Sequence, residues 1–209
     1  MVASVPTTPA PRELTRATRL PDVVEVPHRL VLALSGEGSP DSAEFSASIG
    51  AVYGVAYGLK FRRKKATGED FKVGPLVGVW WAEGEYAGTG QVPPRNTWRW
   101  TVQLDVPLDV TWIDVRETIK AAVSKRGGKL EGSPYAGRTA LIEEPARRFG
   151  RVLHVGPYAD EPTSLAAIGV MLESEGLRRE PWHVEVYISD PGRTAPEKLK
   201  TVLLAPVVV

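Results

Sequence analysis

The predicted secondary-structure elements of this 209-residue chain occur in the same order in both of its halves. In the first half, a strand over residues 23–34 leads through a Gly-rich turn to a helix over 42–64, where apolar residues recur at helical spacing. Two strands rich in β-branched and aromatic residues follow, at 74–81 and 96–105.

The second half repeats this order after a short helix predicted over about 112–126. A strand at 147–155 leads through a Gly-Pro turn to a helix over 161–176, and strands at 182–189 and 200–206 close the chain. We therefore predict an α+β fold in which two pseudo-repeated strand–helix–strand–strand units form a mostly antiparallel sheet with a central ligand cleft.

The expected domain organisation follows from the same pattern. Residues 1–21 are rich in Pro, Thr and Ala and are interpreted as a flexible N-terminal leader. Residues 22–209 are predicted to form a single domain, with the first unit at about 22–110 and the second at about 111–209. Each unit combines a sheet with one helix, so we expect the uncovered sheet faces to share a concave surface that holds the cleft.

Composition argues against several classes of protein. The net charge is +1, from 26 basic and 25 acidic residues, which gives no general reason to expect a nucleic-acid or membrane partner. The basic cluster 62–65 is interpreted as a solvated helix end. The chain contains no cysteine, so disulfides and thiolate chemistry are excluded, and its three histidines show no metal-binding spacing. We expect no metal, no cofactor, no export signal and a cytoplasmic location.

The strand at 182–189 carries a carboxylate between an imidazole and a phenol. Strand alternation places three polar side chains on one face, namely His183, Glu185 and Tyr187. The apolar residues between them suit a helix-covered core, so we predict that the polar row faces the concave cleft. The other interpretation is that Glu185 is exposed to solvent or paired with an arginine across the sheet.

Aromatic residues supply the second part of the predicted cleft. Tyr53 and Tyr57 lie at i and i+4 on the long helix and therefore share one of its faces. Trp80 and Trp81 are consecutive on a strand, so they point to opposite faces, and only one of them can lie in the helix-covered core. A carboxylate surrounded by aromatic rings binds flat cations, and each cation–π contact contributes about 0.5–2 kcal/mol.

Several motifs together resemble the GyrI-like small-molecule-binding domain family. The matching stretches, in chain order, are Tyr53-x-x-x-Tyr57, 75–81, Trp98-x-Trp100, 153–158 (L-H-V-G-P-Y), 183–191 and 195–203. The resemblance extends over about residues 25–206 in one order, so it is specific as a set.

This resemblance implies paired strand–helix–strand–strand units around a cleft that binds amphipathic or aromatic, often cationic, compounds. The family's relatives include the effector-binding domains of multidrug-sensing transcription activators. Glu185 matches the family's central acid, and Tyr53, Trp81 and Tyr158 match positions near the cleft. Some standalone members that resemble this chain hydrolyse cyclopropane-bearing, DNA-alkylating natural products.

One position departs from the family pattern, because Val77 stands where a glutamate is frequent. If Glu185 aligns with position 77, Trp81 faces the cleft; if the two halves align one residue later, Trp80 does, and we favour Trp81. Three functions are compatible with the residues. These are binding of aromatic or cationic small molecules, hydrolysis of an electrophilic ring with Glu185 as base, and a protein-interaction or inhibitor module.

Overall fold

The structure is a computed structural model that describes residues 10–83 and 94–208. Its helices are α1 (Arg12–Thr15), α2 (Ala43–Thr67), α3 (Trp112–Ser124), α4 (Pro134–Gly137) and α5 (Glu161–Ser174). Its strands are β1 (Asp22–Val26), β2 (Arg29–Glu37), β3 (Val77–Ala82), β4 (Trp98–Val106), β5 (Ala140–Glu144), β6 (Arg147–Val155), β7 (His183–Tyr187) and β8 (Lys200–Pro206).

Helix α2 is bounded by clear start and stop signals. The Ser42 hydroxyl accepts a hydrogen bond from the backbone N–H of Phe45 at 3.1 Å, and Gly68 ends the helix with φ at 78°. In the basic cluster near the helix end, Arg63 forms ion pairs with Asp109 and Glu69. Although α2 has 25 residues, none of the helices in the two described ranges is long and apolar enough to cross a membrane.

The eight described strands form one antiparallel sheet in the order β1-β6-β8-β7-β3-β4-β2-β5. The first unit contributes β3-β4-β2 and the second β7-β8-β6, which is the same spatial arrangement in each. The two units join through β3 and β7, where Gly78 lies opposite Glu185. The predicted α+β fold with two repeated units is confirmed.

The outermost strands are exchanged between the halves. Strand β1 pairs with β6, and β5 pairs with β2, in one continuous register: Asp22↔Arg151, Val26↔Arg147, Arg29↔Glu144 and Ala33↔Ala140. Strands β1 and β2 lie six positions apart in the sheet, which is roughly 29 Å if flat. Only two residues connect them, and three Cα steps span at most about 11 Å. The sheet must therefore curl so that the outer strand pair β1–β6 at one edge meets the outer strand pair β2–β5 at the other edge.

Helices α2 and α5 pack on the same face of the curled sheet. One core cluster joins α2 to residues such as Trp100 and Leu104, and another joins α5 to Leu203. The apolar row of β7, Val184 and Val186, packs on the opposite face. The prediction that this row faces the long helices is therefore wrong, because the curled sheet forms a second core with α1 on the face opposite to α2 and α5. The polar row of β7 points toward the helix side instead.

Part of the expected leader is packed against the sheet. Leu14 of α1 is 1% exposed and belongs to the same core cluster as Val184. An Arg151 guanidinium N–H donates to the carbonyl oxygen of Glu13 at 2.8 Å, and the Leu153 N–H donates to that of Thr18 at 2.7 Å. From residue 10 onward, the segment thus differs from the flexible leader expected from its composition.

Candidate functional site

A cavity of about 1180 Å³ opens on the helix side of the sheet. Its walls come from both halves of the chain and include Phe45 and Tyr53 of α2, Trp80 of β3, Glu161 of α5, and Glu185 and Tyr187 of β7. The site therefore lies where the two units join, and each unit supplies part of it.

A chain of hydrogen bonds orients Glu185 at the floor of this cavity. The Tyr187 hydroxyl donates to Oε2 of Glu185 at 2.7 Å, and Nε2 of His183 lies 2.9 Å from Oε1. Since a carboxylate only accepts, His183 carries a proton on Nε2. The Trp80 indole N–H donates to the Tyr187 oxygen at 3.2 Å. Burial, followed by the charge of Glu185, raises the pKa of Tyr187 well above its usual value, so its phenol remains a donor.

Glu161 is a second carboxyl group in the same cavity. It is the first residue of α5 and is 5% exposed, and its Oε1 has no hydrogen-bond partner among the described residues. Burial, together with the charge of Glu185, raises the pKa of Glu161 to about 9. Near neutral pH, Glu161 therefore holds a proton, and Glu185 in the same cavity accepts the hydrogen bond from Tyr187.

Glu161 was not predicted from the sequence as a site residue. The residue precedes Pro162 at a helix start, where an acid is ordinarily explained by the helix dipole. The role of Glu161 depends on its neighbours in space, which are Glu185 and Thr201. Thr201 lies on β8, where it pairs with Tyr187 of β7. The Oγ1 atom of Thr201 is also buried without a partner in the described part of the chain.

The turn before Glu161 is fixed by a buried histidine. Nε2 of His154 lies 3.1 Å from the carbonyl oxygen of Pro157, and Nδ1 lies 3.0 Å from Oγ of Ser164. A carbonyl oxygen only accepts, so Nε2 carries a proton and donates it in a hydrogen bond to Pro157. Gly156 adopts φ of 148° at this turn. His154 thereby ties the turn to the first part of α5 and positions Glu161.

The structure brings most of the proposed site residues together. Glu185, Tyr187, Tyr53 and Tyr158 all line the cavity. His183 lies behind them and reaches the site through its contact with Glu185. Burial is the largest cause of the raised pKa values of Tyr53 and Tyr158.

Two of the proposed residues lie elsewhere. Trp80 lines the cavity, whereas the Trp81 indole N–H donates to Glu83 outside it, so the prediction that Trp81 faces the cleft is wrong. The physical reason is the register of β3 against β7. Residues paired across two strands point to the same face, and position 78, not 77, lies opposite Glu185. Trp80, two positions beyond 78, therefore points to the same face as Glu185. Tyr57 is 45% exposed and stacks on Tyr53 outside the cavity lining.

Aromatic rings form the walls above the carboxyl pair. Trp80 contacts Phe45 with ring centroids 5.3 Å apart and Trp98 at 5.7 Å, and Tyr158 meets Tyr187 edge-to-face at 5.9 Å. Within the described ranges, no group of three or more His, Cys, Asp or Glu residues is arranged to hold a metal ion. The cavity thus combines aromatic walls with two carboxyl groups, of which Glu161 has a pKa raised to about 9.

Comparison with known proteins yields close structural relatives. No family model matches the chain, and no curated protein matches it. An uncharacterized conserved protein from Listeria innocua is 30% identical, with 92% of this chain and 94% of that chain covered and a TM-score of 0.81. A hydrolase from Listeria innocua is also 30% identical, with 92% and 93% covered and a TM-score of 0.79.

A more distant structure shares the fold. The C-terminal domain of EcmrR is 14% identical to this chain, with 90% of this chain and 96% of that domain covered and a TM-score of 0.54. The repeated units, the cavity at their junction and the two relatives at 30% identity lead to one conclusion. The chain belongs to the GyrI-like small-molecule-binding domain family.

Proposed function

We propose that this protein is a hydrolase that adds water to an aromatic, electrophilic small molecule, such as one that bears a cyclopropane ring conjugated to a carbonyl group. The observation that carries the proposal is that one aromatic cavity holds both Glu185, which accepts a hydrogen bond from Tyr187, and the buried Glu161, whose pKa is raised to about 9. Two carboxyl groups whose environments separate their protonation states form an acid–base pair. The hydrolase from Listeria innocua at 30% identity supports the reaction class.

In the proposed reaction, Glu185 takes a proton from water as the water oxygen bonds to a ring carbon of the cyclopropane. The strained C–C bond breaks, and its electron pair moves through the conjugated system to the carbonyl oxygen. Protonated Glu161 donates its proton to that oxygen, where negative charge develops. The product is the substrate plus one water, and proton exchange with solvent restores the two carboxyl groups.

The aromatic walls suit the substrate class. A cavity of about 1180 Å³ accommodates a molecule of several fused rings, because ligand sites commonly enclose roughly 300–1,000 Å³. Trp80 is 5% exposed and is held by Phe45 and Trp98, so the part of it that lines the cavity is a fixed apolar wall. A fixed wall places the reacting carbon without further ordering of side chains.

Binding without turnover is the second candidate function. With one proton in the pair, the floor of the cavity keeps one negative charge beside the rings of Trp80 and Tyr187. This arrangement attracts flat cations through the charge and through cation–π contacts worth about 0.5–2 kcal/mol each. Release of the ligand unchanged is the outcome that separates this function from hydrolysis.

The test uses a synthetic cyclopropane-fused dienone and mass spectrometry of the recovered compound. Wild-type protein is expected to convert it to a product heavier by one water molecule. Glu185→Gln is expected to lower kcat about 100- to 10,000-fold, which is the usual contribution of acid–base catalysis. The matched control is Glu197→Gln, an exposed residue outside the cavity, which should leave kcat unchanged. Binding by wild type with recovery of only unchanged dienone would reject the hydrolase and favour the binding function.

A further inference from the structure

We infer that the mouth of the cavity is an anion-binding subsite, so that the molecule it takes carries a carboxylate, sulfonate or phosphate at the end remote from the carboxyl pair. The identity of the reacting end rests on the proposed function, whereas the anion subsite rests on the basic residues around the mouth. These residues were not singled out by sequence analysis.

Four cationic side chains line the cavity, namely Arg12, Arg16, Lys72 and Arg95. Arg95 forms an ion pair with Asp41 at 2.7 Å. Within residues 10–83 and 94–208, the other three have no ion-pair partner at 4 Å or less.

The two arginines are held on a fixed segment. Arg12 and Arg16 lie four positions apart, and the Arg16 N–H donates to the Arg12 carbonyl oxygen at 2.9 Å, so one helical turn separates them. Leu14 between them is buried in the core, and Arg151 bonds the backbone at Glu13. The backbone positions of both arginines are therefore set before any ligand arrives, which lowers the entropic cost of holding an anion.

The two ends of the cavity therefore differ in charge. Glu161 is buried and Glu185 is half-buried, whereas Arg12, Arg16 and Lys72 are exposed and therefore belong to the mouth of the cavity. An aromatic molecule with an acid at one end and a neutral carbonyl at the other complements both charges at once. Two exposed acids also line the cavity, but Asp41 pairs with Arg95 and Asp190 pairs with Arg193, whereas Arg12, Arg16 and Lys72 pair with no described acid.

Two dyes that share an aromatic body test this subsite. The probes are 1-anilinonaphthalene-8-sulfonate and N-phenyl-1-naphthylamine, which lacks the sulfonate, and binding is followed by fluorescence titration. Wild type is expected to bind the sulfonate about fivefold to tenfold more tightly, since exposed ion pairs contribute modestly. Raising the salt concentration should reduce the affinity for the sulfonate dye and leave that for the neutral dye unchanged.

Matched variants locate the effect. Arg12→Gln/Arg16→Gln and, separately, Lys72→Gln should each reduce the sulfonate preference, whereas Arg19→Gln, exposed and outside the cavity, should retain it. Ser46→Trp, an exposed position in the cavity lining, should weaken both dyes if they bind in the cavity. Thermal unfolding of each variant checks that the fold persists.

Equal affinity of wild type for the two dyes, or equal losses for both dyes in the arginine and lysine variants, would overturn the anion subsite. This result is independent of catalysis. If the protein prefers the sulfonate dye but leaves the dienone unchanged, the hydrolase is rejected and the anion subsite is retained. If the protein converts the dienone but binds both dyes equally, the anion subsite is rejected and the hydrolase is retained.

Discussion

The hydroxyl oxygen of Tyr187 lies 2.7 Å from Oε2 of Glu185, and both side chains leave the same face of β7 two positions apart. Strand geometry alone brings i and i+2 side chains to one face, and the Trp80 indole N–H then fixes the phenol from the neighbouring strand β3. The carboxylate of Glu185 is thus oriented by groups on two strands before a substrate is present.

Replacing Tyr187 with Phe removes this orientation and leaves the Trp80 N–H unpaired. We expect Tyr187→Phe to lower kcat for the dienone about 10- to 100-fold and the free energy of unfolding by about 1–2 kcal/mol. Steady-state kinetics and urea unfolding provide the two measurements. Tyr57→Phe, which loses a hydroxyl on an exposed ring outside the cavity, should change neither. Unchanged kcat in Tyr187→Phe would contradict the role given to the phenol.

Glu161 makes the stability of the protein depend on pH. In the folded protein its pKa is raised from 4.5 to about 9, so above pH 4.5 the unfolded chain releases a proton that the folded chain retains. Stability should therefore fall as pH rises from about 4.5 to about 9. Glu161→Gln stays neutral, so it should match wild type near pH 5 and exceed it by a few kcal/mol near pH 8.

Urea unfolding at several pH values measures this difference, with the exposed Glu173→Gln on the same helix as control. Identical pH slopes for wild type and Glu161→Gln would show that Glu161 does not hold its proton in the folded state. The same proton accounts for activity, so dienone turnover by wild type should decline as pH rises through about 9.

Thr201 and Glu161 each bury an oxygen without a partner in the described residues. Thr201 nevertheless lies beside Glu161, where its hydroxyl lowers the pKa of that carboxyl group against the larger effect of burial. Thr201→Val removes this polar contact and should lower the free energy of unfolding by about 1–2 kcal/mol, and Thr201→Ser should restore most of it. A more stable Thr201→Val would indicate instead that the hydroxyl is truly unpaired.

Gly78 keeps space for the hydrogen bond between Trp80 and Tyr187. A Cβ atom at position 78 would lie 2.7 Å from Nε1 of Trp80 and 2.9 Å from the Tyr187 oxygen. We expect Gly78→Ala to displace these atoms, to cost about 1–3 kcal/mol of stability, and to reduce turnover. Gly169→Ala on α5 meets open space and should stabilise the protein by about 1 kcal/mol. Calorimetry of both variants compares the two effects, and equal behaviour would exclude a steric role for Gly78.

Much of the fold follows from local pattern. Hydrophobic period and Gly or Pro at element ends predicted the strand at 147–155 and the helix that begins at Glu161 within a residue or two of their observed limits. Strand alternation likewise placed Glu185 with Tyr187, because a period of two needs no knowledge of partners.

The features that sequence analysis missed depend on long-range pairing. Whether Trp80 or Trp81 faces the cavity is decided by the register of β3 against β7, which one sequence does not specify. The role of Glu161 depends on burial beside Glu185, and these residues are 24 positions apart in the chain. The helix-covered face was misassigned because curling of the sheet gives its other face a core of its own.

The exchanged outer strands make the two halves of the chain interlock. Strand β1 precedes the first unit and yet completes the sheet edge of the second, and β5 does the same in the opposite direction. Each half on its own would leave the outer edge of β2 or β6 exposed, with a donated strand that has nothing to pair with. Glu161, Glu185 and Trp80 thus lie where the two halves meet, an arrangement that neither half can form alone. A cut in the connection between α3 and β5 should therefore yield fragments that associate with each other.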